Sequence, residues 1–201
     1  MALETEDGRP LVRLQMGLGW DKERGAGFVG TGRADVDLDA TAVQFADGGL
    51  FDIAFYNHLE TRDGSVVHLG DNISGRGDGD DERLTVDLGR VYAKVDAILF
   101  LVSSYQGHTL DWIDNAYCRL VDEQGVELAR LTLTDGTPRT GLAMAMLLRD
   151  REGAGDGTGA ATGAATGAAT GAGDRWRLRA IGEGVAVTVP TDSIERLARF
   201  L

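Results

Sequence analysis

The chain predicts an all-β fold, a two-sheet β-sandwich with one or two short peripheral helices, from three features. Apolar runs of strand length recur from Leu11 to Val189, separated by Gly, Asp and Asn. Several runs alternate apolar with polar residues, the signature of a strand with one wet face. Ten such runs are enough for two packed sheets. In chain order the expected strands are Leu11 to Met16, Val36 to Val43, Leu50 to Tyr56, Val66 to Leu69 and Leu84 to Leu88. They continue with Ala97 to Ser103, Ala116 to Val121, Glu127 to Thr134, Trp176 to Ala180 and Val185 to Val189. Alternation is clearest where Leu131 and Leu133 interleave with Thr132 and Thr134, and where Trp176, Leu178 and Ala180 interleave with Arg177 and Arg179. The run AILFLV at Ala97 to Val102 is apolar throughout, as a central strand buried on both faces requires.

Two segments read as helices. Thr137 and Pro138 form an N-cap and first-turn pair ahead of Leu142 to Leu148, whose Ala, Leu and Met are strong helix formers. Asp192 with Glu195 three residues on reads as a capping box, and Ile194, Leu197, Ala198 and Leu201 share a face that should dock on a sheet. Residues 153–173 are different: eight Gly, eight Ala, four Thr and one Asp, with the tetrad TGAA repeated from Thr158. With no core-forming side chain, this segment is expected to be a flexible insert within one domain spanning 1–201, its ends some 25 Å apart as a random coil.

At 201 residues the chain can bury a sizeable core without staples, and its one cysteine, Cys118, cannot form an internal disulfide. Cys118 reads as a small buried hydrophobe, and Trp20, Trp112 and Trp176 as core anchors. The acidic start lacks an apolar stretch and no run approaches the roughly 20 residues of a membrane span, so a cytoplasmic protein without a transmembrane segment is expected. A net charge of −12 disfavours direct contact with nucleic-acid phosphates.

The acid is concentrated. Gly70 to Glu82, GDNISGRGDGDDE, sets Asp71, Asp78, Asp80, Asp81 and Glu82 against Arg76 alone. Carboxylates so crowded repel unless a cation or solvent separates them. The four glycines of the segment let backbone carbonyls join the carboxylates, and oxygen donors at flexible geometry suit calcium better than magnesium. The segment is not an EF-hand: the third and fifth loop positions are Ile73 and Gly75, the sixth is Arg76, and strands flank it. Earlier in the chain, alternation places Asp35, Asp37 and Asp39 on one face of a strand. Together the two elements offer more oxygens than one ion uses, which points to two calcium ions.

The blocks LGWD at Leu18 to Asp21, DLDA at Asp37 to Ala40, GDNISGRGDGDDE at Gly70 to Glu82, DNAYCRL at Asp114 to Leu120 and WRLRAIGEG at Trp176 to Gly184 stand in the order of the TerD family. The chain resembles that family of tellurium-resistance and stress-response proteins over nearly its whole length. The resemblance implies a calcium-binding β-sandwich, with Asp21, Asp37, Asp39, Asp71, Asn72, Asp78, Asp80, Asp81 and Glu82 as candidate metal ligands. It also implies a non-enzymatic module whose acidic loop, once closed by calcium, presents a surface to other proteins, a membrane-associated stress-response complex among the candidates. Two other readings compete: a metal-dependent phosphate-ester hydrolase, since acidic clusters also serve two-metal chemistry, and an interaction domain that calcium merely stiffens.

Other motifs are weak. Ser103, Ser104, His108 and Asp111 lack a GxSxG elbow, and the three histidines lack zinc-ligand spacing. The acidic glycine loop has no phosphate-binding Lys, and the Arg76, Gly77, Asp78 tripeptide is a coincidental match to an adhesion motif.

Overall fold

The computed structural model describes residues 3, 10–20, 36–73, 79–113, 115–133, 138–150 and 175–201. Ten strands form in chain order: β1 (Arg13–Gly19), β2 (Leu38–Ala46), β3 (Gly49–Ala54), β4 (Val66–His68), β5 (Glu82–Asp87), β6 (Val95–Ser104), β7 (Tyr117–Asp122), β8 (Glu127–Thr132), β9 (Gly141–Asp150) and β10 (Arg175–Val185). They make two five-stranded sheets, ordered β4-β5-β1-β7-β8 and β10-β9-β6-β2-β3. Every pairing is antiparallel. The expected β-sandwich is therefore present, and the wholly apolar Ala97 to Val102 run lies in β6, at the centre of the second sheet.

The sheets enclose one core, to which β1 gives Leu14, Met16 and Leu18, β5 gives Leu84 and Val86, β2 gives Leu38, Ala40 and Ala42, and β6 gives Ile98, Phe100 and Val102. Trp20 and Trp176 pack into it, as does Cys118, whose thiol burial pushes up to about 12. A second apolar layer covers the outer face of the second sheet, where Val43, Phe45, Leu99 and Leu101 meet Leu197 and Phe200 of the C-terminal turn.

Three expectations about elements are corrected. Leu142 to Leu148 is not a helix but the middle of β9, hydrogen-bonded between β6 and β10. Met144 and Leu147 reach the inter-sheet core and Ala143 and Met146 the outer layer, so burial on both faces overrides the helical preference of Ala, Leu and Met. The strand expected at Val185 to Val189 does not form, since pairing ends at Val185, and the one expected at Trp176 to Ala180 runs on to that residue as β10, with an irregularity between Ala180 and Glu183. Gly182 makes it with a φ of +65°, a conformation most side chains avoid. At the C-terminus a short helix α1 (Ile194–Leu197) forms between 3-10 turns. It docks on the sheet as expected, but Asp192 belongs to the preceding turn, Ser193 takes the N-cap position without a side-chain cap, and Phe200 rather than Leu201 is buried.

Residues 153–173 and the expected cap at Thr137 lie outside the described residues. On either side of the insert, Asp150 and Arg175 are cross-strand partners, and the Arg177 side chain ion-pairs with Asp150.

A candidate cation site at the end of the sandwich

Asp37 directly precedes β2 and Asp39 lies within it, facing away from the core that takes Leu38 and Ala40. Asp71 follows β4 on the chain that leads into β5. One oxygen from each of Asp37, Asp39 and Asp71 lies within 4.8 Å of the other two. Asp39 is 2% exposed and Asp37 8%, whereas Asp71 opens to solvent. Asp37 Oδ1 and Asp39 Oδ2 are buried without a hydrogen-bond partner. Such oxygens are rare in native structures, because desolvation is left uncompensated.

The electrostatics follow. Burial, then the charges of Glu82, Asp37 and Asp71, push the Asp39 carboxyl up to about 8. Burial, with Asp71 and Glu82, raises Asp37 to about 6. The Tyr56 hydroxyl is raised as well, by burial and then by Asp39, and its ring meets Tyr105 edge-on at 5.7 Å. The chain around Asp37 is pinned by hydrogen bonds: its N–H donates to Gln106 Oε1 at 2.9 Å, and its carbonyl accepts from the Tyr105 N–H at 3.1 Å.

Glu82, 1% exposed at the start of β5, ties the parts together. Its Oε2 accepts from the Ala40 N–H at 2.7 Å and its Oε1 from the Asn72 N–H at 3.2 Å, joining β2 to the acidic loop. The Gly70 N–H donates to His68 Nδ1 at 3.3 Å, which assigns the imidazole proton to Nε2, 3.4 Å from Glu82 Oε2. Burial raises Glu82, while His68, Ala40 and Asn72 act to lower it. Asn72 Nδ2 donates to Asp81 Oδ1 at 3.1 Å, and Asp81 Oδ2 accepts from the Trp20 N–H at 3.0 Å. The Asp81 N–H donates to the Leu18 carbonyl at 2.8 Å, which fixes the loop on β1.

Asp80 is placed differently. Its carboxylate accepts from Arg119 Nε at 2.9 Å and Nη2 at 3.0 Å, and from the Tyr117 hydroxyl at 3.1 Å. It lies flat on β1 over Gly17, where any Cβ would collide with it.

Of the nine expected ligands, Asp37, Asp39 and Asp71 thus converge. Asn72, Asp81 and Glu82 brace the loop beside them, Asp80 is held by Arg119, and Asp21 and Asp78 lie outside the described residues, as does Asp35. The partners His68, Tyr117 and Arg119 were not expected. For the last two the signal was present, since alternation in AYCRL turns Cys118 and Leu120 inward and Tyr117 and Arg119 outward.

The TerD domain model matches residues 2–191. The chain is 39% identical over 150 residues to the tellurium resistance protein TerZ of Serratia marcescens, covering 73% of this chain and 78% of that protein. It is 34% identical over 186 residues to the tellurium resistance protein TerD of the same organism, covering 88% and 82%. To the stress response protein SCP2 of Bacillus subtilis it is 31% identical over 206 residues, covering 96% and 92%. Its fold is similar to that of SCO6318 from Streptomyces coelicolor A3(2), described as a homologue of the telluride resistance protein TerD, with a TM-score of 0.71, 18% identity and coverage of 94% and 98%. Among the described residues, no helix is long and apolar enough to cross a membrane.

Proposed function

The chain belongs to the TerD family, and on that premise we propose a calcium-binding, non-enzymatic stress-response module centred on Asp37, Asp39 and Asp71. The observation that carries this reading is the pair of buried, unpartnered oxygens on Asp37 and Asp39, converging with Asp71 inside a 4.8 Å circle. Three carboxylates this close, with burial raising the proton affinity of Asp37 and Asp39, are a poor arrangement on their own and a good one around a hard divalent cation. An all-oxygen donor set suits calcium, which accepts six to eight such donors at flexible geometry. When bound, the ion would supply charge neutralisation. The protein's residues do the rest: Glu82 and Asn72 hold the loop against β2, and Asp81 anchors it to β1.

Asp21 and Asp78 are the candidate donors to a second ion on the family pattern. Asp80 and Glu82 act in this reading as anchors, because their oxygens are engaged by Arg119, Tyr117, Ala40 and Asn72. Asp71, the exposed member, is the one whose position would answer to the cation, so closing of the loop changes the charge presented to a partner. Relatives named for tellurium resistance and stress response support the stress-response role. In this reading the protein is cytoplasmic and acts through other proteins, a membrane-associated stress-response complex among them.

Calorimetric titration with calcium and with magnesium tests the reading. Saturable heat with calcium, tighter than with magnesium and at about two ions per chain, is expected. No calcium heat, or tighter magnesium binding, overturns it.

A further inference from the structure

The chain carries 32 acidic residues against 20 Lys and Arg, so a concavity in which arginines outnumber acids runs against the rest of its surface. One lies where the end of β10 meets α1. It has a volume of about 310 Å³ and is lined by Arg139, Arg196 and Arg199 with Glu183, over Ser193 and Leu197. Leu197 is 1% exposed and Ser193 8%, which gives the cavity a packed floor bearing a hydroxyl.

Arg196 and Arg199 are three positions apart across the last helical turns. Arg139 is fixed by its backbone: its carbonyl accepts from the Leu110 N–H at 2.9 Å, and the next residue's hydroxyl, Thr140 Oγ1, accepts from the Val187 N–H at 3.0 Å. Glu183 ion-pairs with Arg199 at 2.5 Å, while among the described residues Arg139 and Arg196 make no ion pair.

A larger concavity, about 740 Å³, on the outer face of the first sheet makes the contrast. There Arg13, Arg90 and Arg119 face Asp87, Asp122 and Glu123, and Arg13 and Arg119 are already held by Asp87 and Asp80. Charge is balanced in the larger cavity and unbalanced in the smaller one.

We propose that the cavity between β10 and α1 binds a small phosphate-bearing anion. Guanidinium groups meet phosphate oxygens in a bidentate fork, and three of them around one recess match a doubly charged group better than a carboxylate. Its volume stands at the lower end of small-molecule sites, roughly 300–1,000 Å³, which suits phosphate or a short phosphorylated metabolite rather than a dinucleotide. Glu183 competes with the ligand for Arg199, so the empty cavity keeps that side chain in place.

The test uses the full chain at low salt, titrated calorimetrically with inorganic phosphate, pyrophosphate and ribose 5-phosphate. Binding is expected to weaken as salt rises. The double variant Arg139→Ala with Arg196→Ala should lose at least about tenfold in affinity, and Glu183→Gln should gain a few-fold by freeing Arg199. All three residues are exposed, and unchanged melting curves would show both variants folded. Ribose 5-phosphate binding tighter than phosphate identifies a phosphorylated metabolite; equal affinity identifies the free anion. Equal affinities in wild type and both variants, weaker binding by Glu183→Gln, or no heat from any of the three probes overturns the proposal.

Discussion

Two aspartates at the same end of the sandwich, Asp39 and Asp80, are both buried and have opposite surroundings. Asp80 accepts two hydrogen bonds from Arg119 and one from Tyr117, so the chain neutralises it internally. Asp39 faces Glu82, Asp37 and Asp71, has an unpartnered oxygen, and is pushed up to about 8. A buried carboxylate with its own arginine is architecture. A buried carboxylate surrounded by others is an arrangement that something from outside must complete.

The comparison breaks most sharply at Asp37 and Asp39. Changing both to Asn keeps their size and removes two of three converging charges. Calcium affinity should fall about 1,000-fold, roughly 4 kcal/mol, since charge count tunes oxygen sites across such a range. The chelated variant should melt no lower than chelated wild type, because mutual repulsion is gone. Calorimetry and paired melting curves check both statements, and an unchanged affinity would return the cluster to a solvated acidic face.

Arg119→Ala is the converse experiment. It leaves Asp80, with 5% side-chain exposure, without its counter-charge. Stability should drop by about 3 kcal/mol by chemical denaturation, with calcium heat retained. A changed calcium affinity in a variant that remains folded would mean that Asp80 takes part in the cation site after all.

A smaller effect is expected from pH. Asp37 and Asp39 have native values of about 6 and about 8 against an ordinary 3.8, so the calcium-free fold holds protons that the unfolded chain releases. Their contribution is fully present below about pH 4 and is lost as pH rises through 8. Glu82, also raised by burial, acts with the same sign. Asp52 and Asp63, where hydrogen bonds outweigh burial, act with the opposite sign below the ordinary carboxylate range. Melting temperatures in chelator should therefore fall between pH 5 and pH 8, and saturating calcium should flatten the slope. A flat profile in chelator would contradict the burial assigned to Asp39.

The smallest effect calibrates the rest. Deleting Gly155 to Gly171 should change stability by no more than about 1 kcal/mol and calcium affinity not at all, because loop length enters only logarithmically. Denaturant midpoints of the two proteins measure it.

Most strand positions and the acidic elements were legible because each depends on neighbours in sequence. Alternation in DLDA turns Asp37 and Asp39 away from Leu38 and Ala40, and that is where they lie. Long-range pairing left no such trace. Arg119 meets Asp80 across 39 positions, and nothing local distinguishes that acid from Asp81 beside it. In the same way, the apolar run at Leu142 to Leu148 is equally compatible with a buried helix and a strand buried on both faces. Only its place between β6 and β10 decides.

The antiparallel pairing of Asp150 with Arg175 has a consequence for how this sequence changes over generations. The hairpin is closed before residue 151 begins, so copies of the TGAA tetrad can be gained or lost by replication slippage while both strands keep their register. Insert length should then be close to selectively neutral. Sister lineages are expected to differ in repeat number while agreeing in every residue that frames Asp39.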